Sequence, residues 1–288
     1  MIQYLKQARA ALSLLNPDAV RQLSERAVRF GLVAASRQGF EEMEHFLMAP
    51  SVSIQVAGQT ANSGALVHRA GDPNPPEEVD FVLYEEGLAG PKGTYVYHRD
   101  DPQRTIDEIT HGNDDIAVPL ARRYPVFRHA VVERMIHSTA RENALFAVAT
   151  ALPDVVPSMI ELPWAFGEWA SDTAFLTANQ FRMAFQIAGA YGHDVGFFDQ
   201  KGQILAIAGG AFGWRAIARE LVGKIPLGGG LIPKGAIAYA GTYVVGKALE
   251  KWHDSRADMP RAERGKVYEM ALDRGKTVVR GLLPAKYQ

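Results

Sequence analysis

The stretch Phe30-Gly31-Leu32-Val33-Ala34-Ala35-Ser36-Arg37-Gln38-Gly39-Phe40-Glu41-Glu42-Met43-Glu44-His45-Phe46-Leu47 changes its period halfway along. Val28, Phe30 and Leu32 alternate, which predicts a strand ending near Val33. Residues 35–39 are polar and end in glycine, which predicts a loop. Met43, Phe46 and Leu47 then recur at helical spacing. A strand, a glycine-ended loop and a helix begin an α/β layout.

Working outward, further strands are expected at Ser51–Val56, Ala65–His68, Val79–Tyr84 and Thr94–His98, with a Pro-rich surface loop over Asp72–Glu78. Upstream, Asn16-Pro17 is an N-cap and first-turn pair that opens a helix through about Glu25. Residues 1–15 are amphipathic, with Ile2, Leu5, Leu12 and Leu15 near helical spacing and Lys6 and Arg9 between them. That pattern suits a helix laid on the core or an interfacial anchor; it carries no A-x-A signature and is not expected to be a secretory signal.

After Asp101-Pro102 the strand pattern disappears. Arg104–Gly112 and Asp114–Arg123 read as short helices, with Asn113 as an N-cap. Pro125–Leu152 reads as one long helix, Thr177–Tyr191 as another ended by Gly192, and Pro260–Leu283 as a charged amphipathic tail. Prolines at 153, 157 and 163 break the path between them. From Gly202 to Gly246 lie 11 of the chain's 27 glycines, in apolar surroundings. The expected fold is therefore an α/β half with a small, mostly parallel sheet over residues 1–124, followed by an all-α, glycine-rich half over 125–288.

Composition narrows the function. The chain has 288 residues, 47% of them apolar, enough for a sizeable core. Lys plus Arg total 31 against 32 acids, so no nucleic-acid partner is expected. The absence of cysteine removes disulfides, thiolate metal sites and a Cys nucleophile. The eight histidines show no metal-ligand spacing, and H-E-x-x-H, G-x-S-x-G and G-x-G-x-x-G are all missing. Gly112-Asn113-Asp114-Asp115 lacks the further ligands of a calcium loop.

The phosphate-loop template G-x-x-x-x-G-K-[ST] lands on Ala34 to Glu41. Only the second glycine, Gly39, is kept. Phe40 stands where the lysine would reach the terminal phosphates, and Glu41 where a hydroxyl would hold magnesium. Glu42 and Glu44 follow; in the first turns of a helix these acids suit its dipole and repel a triphosphate. Phosphoryl transfer depends on positive charge at this point, so hydrolysis is not expected. With N-K-x-D replaced by His98-Arg99-Asp100-Asp101 and D-x-x-G by Arg69-Ala70-Gly71-Asp72, residues 27–101 resemble a decayed Era-like GTPase domain. Gly39 and Asp101 would be its vestigial nucleotide contacts, Asp101 reading guanine; capping a helix before Pro102 is the simpler role for Asp101.

The second half carries Arg141-Glu142-Asn143-Ala144, Ala151-Leu152-Pro153, Leu176-Thr177-Ala178-Asn179-Gln180 with Arg182-Met183, Tyr191-Gly192, Ala218-Arg219-Glu220-Leu221, Lys224-Ile225-Pro226 and Ala240-Gly241-Thr242 with Gly246. Over about residues 130–250 it resembles the YcjF-type domain of unknown function, a bacterial helical domain found behind Era-like GTPases. The resemblance implies membrane association and carries over no catalytic residues.

Small residues agree in part. Gly209 and Gly213 make a G-x-x-x-G pair, Gly228, Gly229 and Gly230 a glycine run, and Ala236, Ala240 and Gly241 a small face on which a helix, a lipid surface or a second copy could pack. Ile225–Gly246 is 22 residues with one charge, Lys234, but Pro226, the glycines and Pro233 interrupt it, which favours a buried or reversibly docked hairpin over a fixed span. Arg215, Arg219, Lys224, Lys234 and Lys247 outnumber Glu220 and Glu250, which suits an anionic surface or a solvated face. Trp164 and Trp169 suit core packing or a membrane border. Arg141, Glu142 and Asn143 read as a buried structural network, and Arg122, Arg123 and Arg128 as a solvated basic face or a dock for an acidic partner.

These features predict a cytoplasmic, non-catalytic scaffold or regulator, free or peripheral at the inner face of the cytoplasmic membrane. It would need no cofactor, and would pair a pseudo-GTPase half with a membrane-associating or self-associating helical half. Two alternatives stand beside it: a nucleotide-binding switch that works without the lysine, and a soluble homo-oligomeric assembly protein.

Overall fold

A computed structural model describes residues 15–48, 67–70, 78–150, 172–209 and 231–283. The expected helix before Leu15, the strand at Ser51–Val56, most of the Pro-rich loop, the prolines and tryptophans of 153–169, and Gly213 and Gly228–Gly230 lie outside the described residues.

The chain divides into two compact units, residues 19–133 with 188–194 and residues 1–18 with 134–187 and 195–288. The first contains most of helix α1 (Pro17–Glu25), strand β1 (Phe30–Val33), helix α2 (Arg37–Met48), strands β2 (Val67–Arg69), β3 (Phe81–Glu85) and β4 (Tyr95–Tyr97), and helices α3 (Pro102–Thr110) and α4 (Ala117–Arg123). The four strands form one parallel sheet in the order β2-β1-β3-β4. Phe30 pairs with Val67 on one side and Phe81 on the other, so β1 is interior and apolar. The chain leaves β1 towards β2 and returns beyond β1 to β3, which makes the β1/β3 boundary the switch point of the sheet.

An aromatic cluster fills this unit. Phe30 stacks on Phe81 at 5.1 Å and on Phe127 at 5.9 Å, and meets the edge of Tyr124 at 4.8 Å. Tyr124 is fully buried, yet its hydroxyl donates to Val28 O at 2.9 Å, so no polar atom is stranded. Burial also pushes the Tyr124 phenol well above its ordinary range.

Local chemistry sets the ends. Asn16 Oδ1 accepts the Asp18 N–H at 3.1 Å ahead of α1, with Pro17 at the first position. The loop expected over 35–39 is shorter than its composition suggests. Ser36 Oγ accepts the Gly39 N–H at 3.0 Å and Ser36 O accepts the Phe40 N–H, so α2 begins at Arg37 and Gly39 sits in its first turn. Asn113 is not the cap of α4: its amide donates to Ile109 O and to Tyr95 Oη, both at 2.8 Å, and Ile116 takes the cap position.

The second unit holds helix α5 (Arg128–Ala149, counted from residue 134), helix α6 (Asp172–Ala190, to residue 187), α7 (Lys201–Gly209), α8 (Leu231–Ser255) and α9 (Arg261–Leu282). Pro125–Phe127 is a 3₁₀ turn, so the long helix expected from Pro125 begins at Arg128. Helix α8 is apolar almost all round and buried from Gly235 to Ala240 save at Ile237. Its small residues are where other helices come close. A methyl group at Gly235 would meet Val279 and Val148 at 2.6 and 2.8 Å, and one at Gly246 would meet Ile136 at 2.6 Å. Across the α8–α9 hairpin, a Cβ added at Gly275 would stand 3.1 Å from Ala236 Cα and O. The hairpin turns at Arg256, in left-handed backbone at φ 56°, its guanidinium 4.6 Å over the Trp252 ring. Among the described residues no helix is long and apolar enough to cross a membrane.

Two glycines of α9 should respond oppositely to substitution. At Gly265, where an added Cβ meets nothing within 4 Å, alanine should raise stability by about 0.5–1 kcal/mol through helix propensity. At Gly275, leucine should cost about 1–3 kcal/mol or more by forcing α8 and α9 apart. Urea unfolding midpoints of the two variants check the contrast; equal shifts would contradict the close approach.

Candidate functional site

The carboxyl ends of β1, β3 and β4 converge with the start of α2. Ala35 follows β1, Gly39 lies in the first turn of α2, and Glu85 is the last residue of β3. Glu85 Oε2 accepts the Ala35 N–H at 2.8 Å. Its carboxylate packs over Gly39 so closely that a Cβ there would stand 2.5 Å from it. An anion at this point gains from the loop N–H and the positive end of the helix. Here the anion belongs to the chain.

The surroundings are acidic. A cleft of about 230 Å³ opens at this place. Glu42, Glu85, Glu86 and Asp100 line it with one guanidinium, that of Arg99. Arg99 Nη2 lies 2.7 Å from Glu42 and 3.7 Å from Glu85, tying α2 and β3 to the loop after β4. Burial, reinforced by the Glu42 charge and opposed by Arg99, raises the Tyr97 phenol, so this wall of the cleft stays a neutral hydroxyl at neutral pH. A phosphate entering here would have to displace Glu85 and approach three further carboxylates.

Gly39 is therefore in the cleft, while Asp101 lies one residue past its lining. Asp101 Oδ1 accepts the Arg104 N–H at 3.2 Å as the N-cap of α3, with Pro102 at the first position. Glu85, the residue that fills the cleft, gave no motif signal.

A second constellation lies in the helical unit. Asn143 on α5, Asn179 and Gln180 on α6 and Thr242 on α8 are all buried. Asn143 Nδ2 donates to Thr242 Oγ1 at 2.8 Å, and Asn179 Nδ2 donates to Asn143 Oδ1 at 2.8 Å. Gln180 Nε2 reaches the same Thr242 hydroxyl at 3.4 Å. Beside them Glu142 pairs with Arg182 at 2.5 Å. Three separate sequence runs meet in this network: residues 141–144, 176–183 and 240–242. The bonds among Asn143, Asn179, Gln180 and Thr242 tie α5, α6 and α8 together, so they serve to fix how three helices register.

Ala236, Ala240 and Gly241 are buried in this same bundle, where they serve packing between helices of one chain. Gly209 ends α7. Arg122 and Arg128 also have internal work: Arg122 donates to His193 O at 2.9 Å, and Arg128 Nε to Ala190 O at 3.1 Å, closing the carbonyl end of α6. Burial lowers the Arg122 pKa, within the range where it stays charged. Among the described residues no group of three or more His, Asp or Glu side chains is placed to hold a metal ion.

Two substitutions test these assignments. In a Glu85→Ala background, Gly39→Ala should stabilise by about 0.5–1 kcal/mol, as for any open helical glycine; with Glu85 present that gain should vanish or reverse, and an additive double-mutant cycle would refute the contact. Asn143→Ala should cost about 2–4 kcal/mol, because it strands the buried Asn179 amide and leaves the Thr242 hydroxyl with only the long bond from Gln180; chemical denaturation reads it. No protein-family model, curated protein or solved structure matches this chain, so its function has to be read from the geometry of its own residues.

Proposed function

We propose that the chain is a non-catalytic scaffold or regulator, in which a pseudo-GTPase domain has given up its nucleotide and a helical domain engages a membrane surface or a second copy of itself. The observation that carries this reading is Glu85: its carboxylate takes the Ala35 N–H at 2.8 Å and covers Gly39. In parallel sheets ordered 2-1-3-4, ligands bind at the carboxyl ends of the strands, at the β1/β3 boundary. That is where this carboxylate sits. Phe40 and Glu41 stand at the lysine and hydroxyl positions of the degenerate loop, so the crevice also lacks the charge that phosphoryl transfer requires.

The likeness of the second half to YcjF-type domains supports the same pairing, since those domains follow Era-like GTPases. The α/β unit then offers a fixed surface rather than a switch, because Glu85 already fills its crevice. The expected location is the cytoplasm, with peripheral contact at the inner face of the membrane.

Calorimetry with GTP, GDP and ATP should give no binding heat up to millimolar nucleotide, and no phosphate should be released on incubation. The triple substitution Glu85→Ala, Phe40→Lys, Glu41→Ser should bring measurable affinity back. Micromolar affinity in the unaltered chain, lost in Asp101→Ala, would overturn the proposal in favour of a nucleotide-binding switch.

A further inference from the structure

Among the described residues β4 ends the sheet on one side, and a strand in that place carries main-chain N–H and C=O groups with no neighbouring strand to bond. Two such groups are the Val96 C=O and the His98 N–H. They leave the extended chain on the same side, at the spacing where a further parallel strand would set one residue between them, its N–H on the first and its C=O on the second. The Thr105 side chain holds that place instead. Its hydroxyl donates to Val96 O at 3.3 Å and accepts the His98 N–H at 2.9 Å. Thr105 is fully buried, so solvent does not reach the hydroxyl. The chain arranges this locally. Asp101 and Pro102 start α3 soon after β4, and the helix folds back on the strand it has just left. Ile106 and Ile109 are buried and keep α3 on the core. Glu108, one turn beyond Thr105, has one oxygen 3.4 Å from His98 Nε2 and the other held by Arg104 Nε at 2.9 Å.

We infer that Thr105 is an edge plug: its hydroxyl stands in for one residue of a further strand and keeps β4 from pairing with the β4 of a second copy. The inference goes beyond the proposed function and does not depend on it. The excluded partner is a second copy because the edge is self-complementary. Two β4 strands related by a two-fold axis run antiparallel and offer each other the same N–H and C=O groups. A charged side chain or a proline is a common guard of an exposed edge, but the strand itself reads Tyr95-Val96-Tyr97 and has neither. Aromatic and β-branched residues of this kind favour strand pairing. Valine would fill the place of Thr105 equally well in volume, so only the hydroxyl accounts for both bonds. Without it, Val96 O and His98 N–H would face an apolar side chain under α3, and a second β4, with α3 moved aside, would restore what they lost.

The test compares the full chain with Thr105→Val and Thr105→Ser, by amide hydrogen exchange and by light scattering over a range of concentrations. Thr105→Ser keeps the hydroxyl, and should keep both the slow exchange of the His98 amide and the mass of the unaltered chain. In Thr105→Val the His98 amide should exchange roughly tenfold faster or more, and the mass should double as concentration rises. Adding Val96→Pro removes an N–H that points off the same edge, and should abolish the doubling. Thr105→Ala also lacks the hydroxyl and takes the place of Thr105→Val if that variant does not fold. Fast exchange of the His98 amide in the unaltered chain overturns the inference, because the bond to Thr105 is then not held in solution. Faster exchange in Thr105→Val without a change of mass overturns it too, leaving Thr105 as a fastener of α3 alone. A dimer that survives Val96→Pro overturns it by placing the contact on another surface.

Discussion

Glu85 leaves β3 at the point where β1 hands over to α2, and its carboxylate takes the Ala35 N–H at 2.8 Å. Much of the α/β unit's local design follows from that contact. Gly39 has to lack a side chain because the carboxylate occupies the space. Arg99 has to reach across because Glu42 and Glu85 would otherwise repel each other without a counter-ion; it lies 2.7 Å from the first and 3.7 Å from the second. A tethered anion is always present, whereas a phosphate must be drawn from solution at an entropic cost. The helix start that in a phosphate loop waits for a ligand is here completed by folding itself.

The helical unit is governed by distance and register rather than by charge. Glycines at 235 and 246 let the side chains of Val279, Val148 and Ile136 press against the bare helix, and Gly275 lets the α8 and α9 backbones approach. Such smooth faces specify little, since one small residue resembles the next and a helix can slide by a turn. The buried amides supply what the glycines lack. Asn143 must find Thr242 and Asn179 together, and a shift of one turn on any of the three helices would leave a polar group stranded in an apolar core.

The sequence revealed the elements better than it revealed their contacts. Alternation at Val28, Phe30 and Leu32 located β1, and Asn16-Pro17 and Asp101-Pro102 located two helix starts, because those signals are local. The start of α2 was misjudged by three residues: Ser36 is a cap, and a polar loop with a terminal glycine looks the same whether the glycine follows the helix start or precedes it. Asn113 was misjudged for a related reason, since an asparagine before a helix can cap it or bond back to the previous one, and Tyr95 Oη, 18 residues away, decides the matter. Of Arg141, Glu142 and Asn143, read together as a buried network, Asn143 is buried, Glu142 is half-buried and Arg141 is exposed, and the partners of Asn143 and Glu142 come from two other runs. Glu85 was illegible, because it acts on Ala35 and Gly39 from 50 and 46 positions away and belongs to no motif.

The small-residue faces invite a reading as an interface, and their burial argues otherwise. Ala236, Ala240 and Gly241 are all buried, and Ala236 lies against Gly275 of α9, so this smooth face is not presented to solvent. A surface that meets something outside the chain has the opposite character: exposed, apolar and held in place. The turn at Phe198 has that character. Its buried Gln200 and the neighbouring Phe197, packed against Phe185, cost conformational freedom, and what they hold in position is a phenyl ring that folding leaves in water.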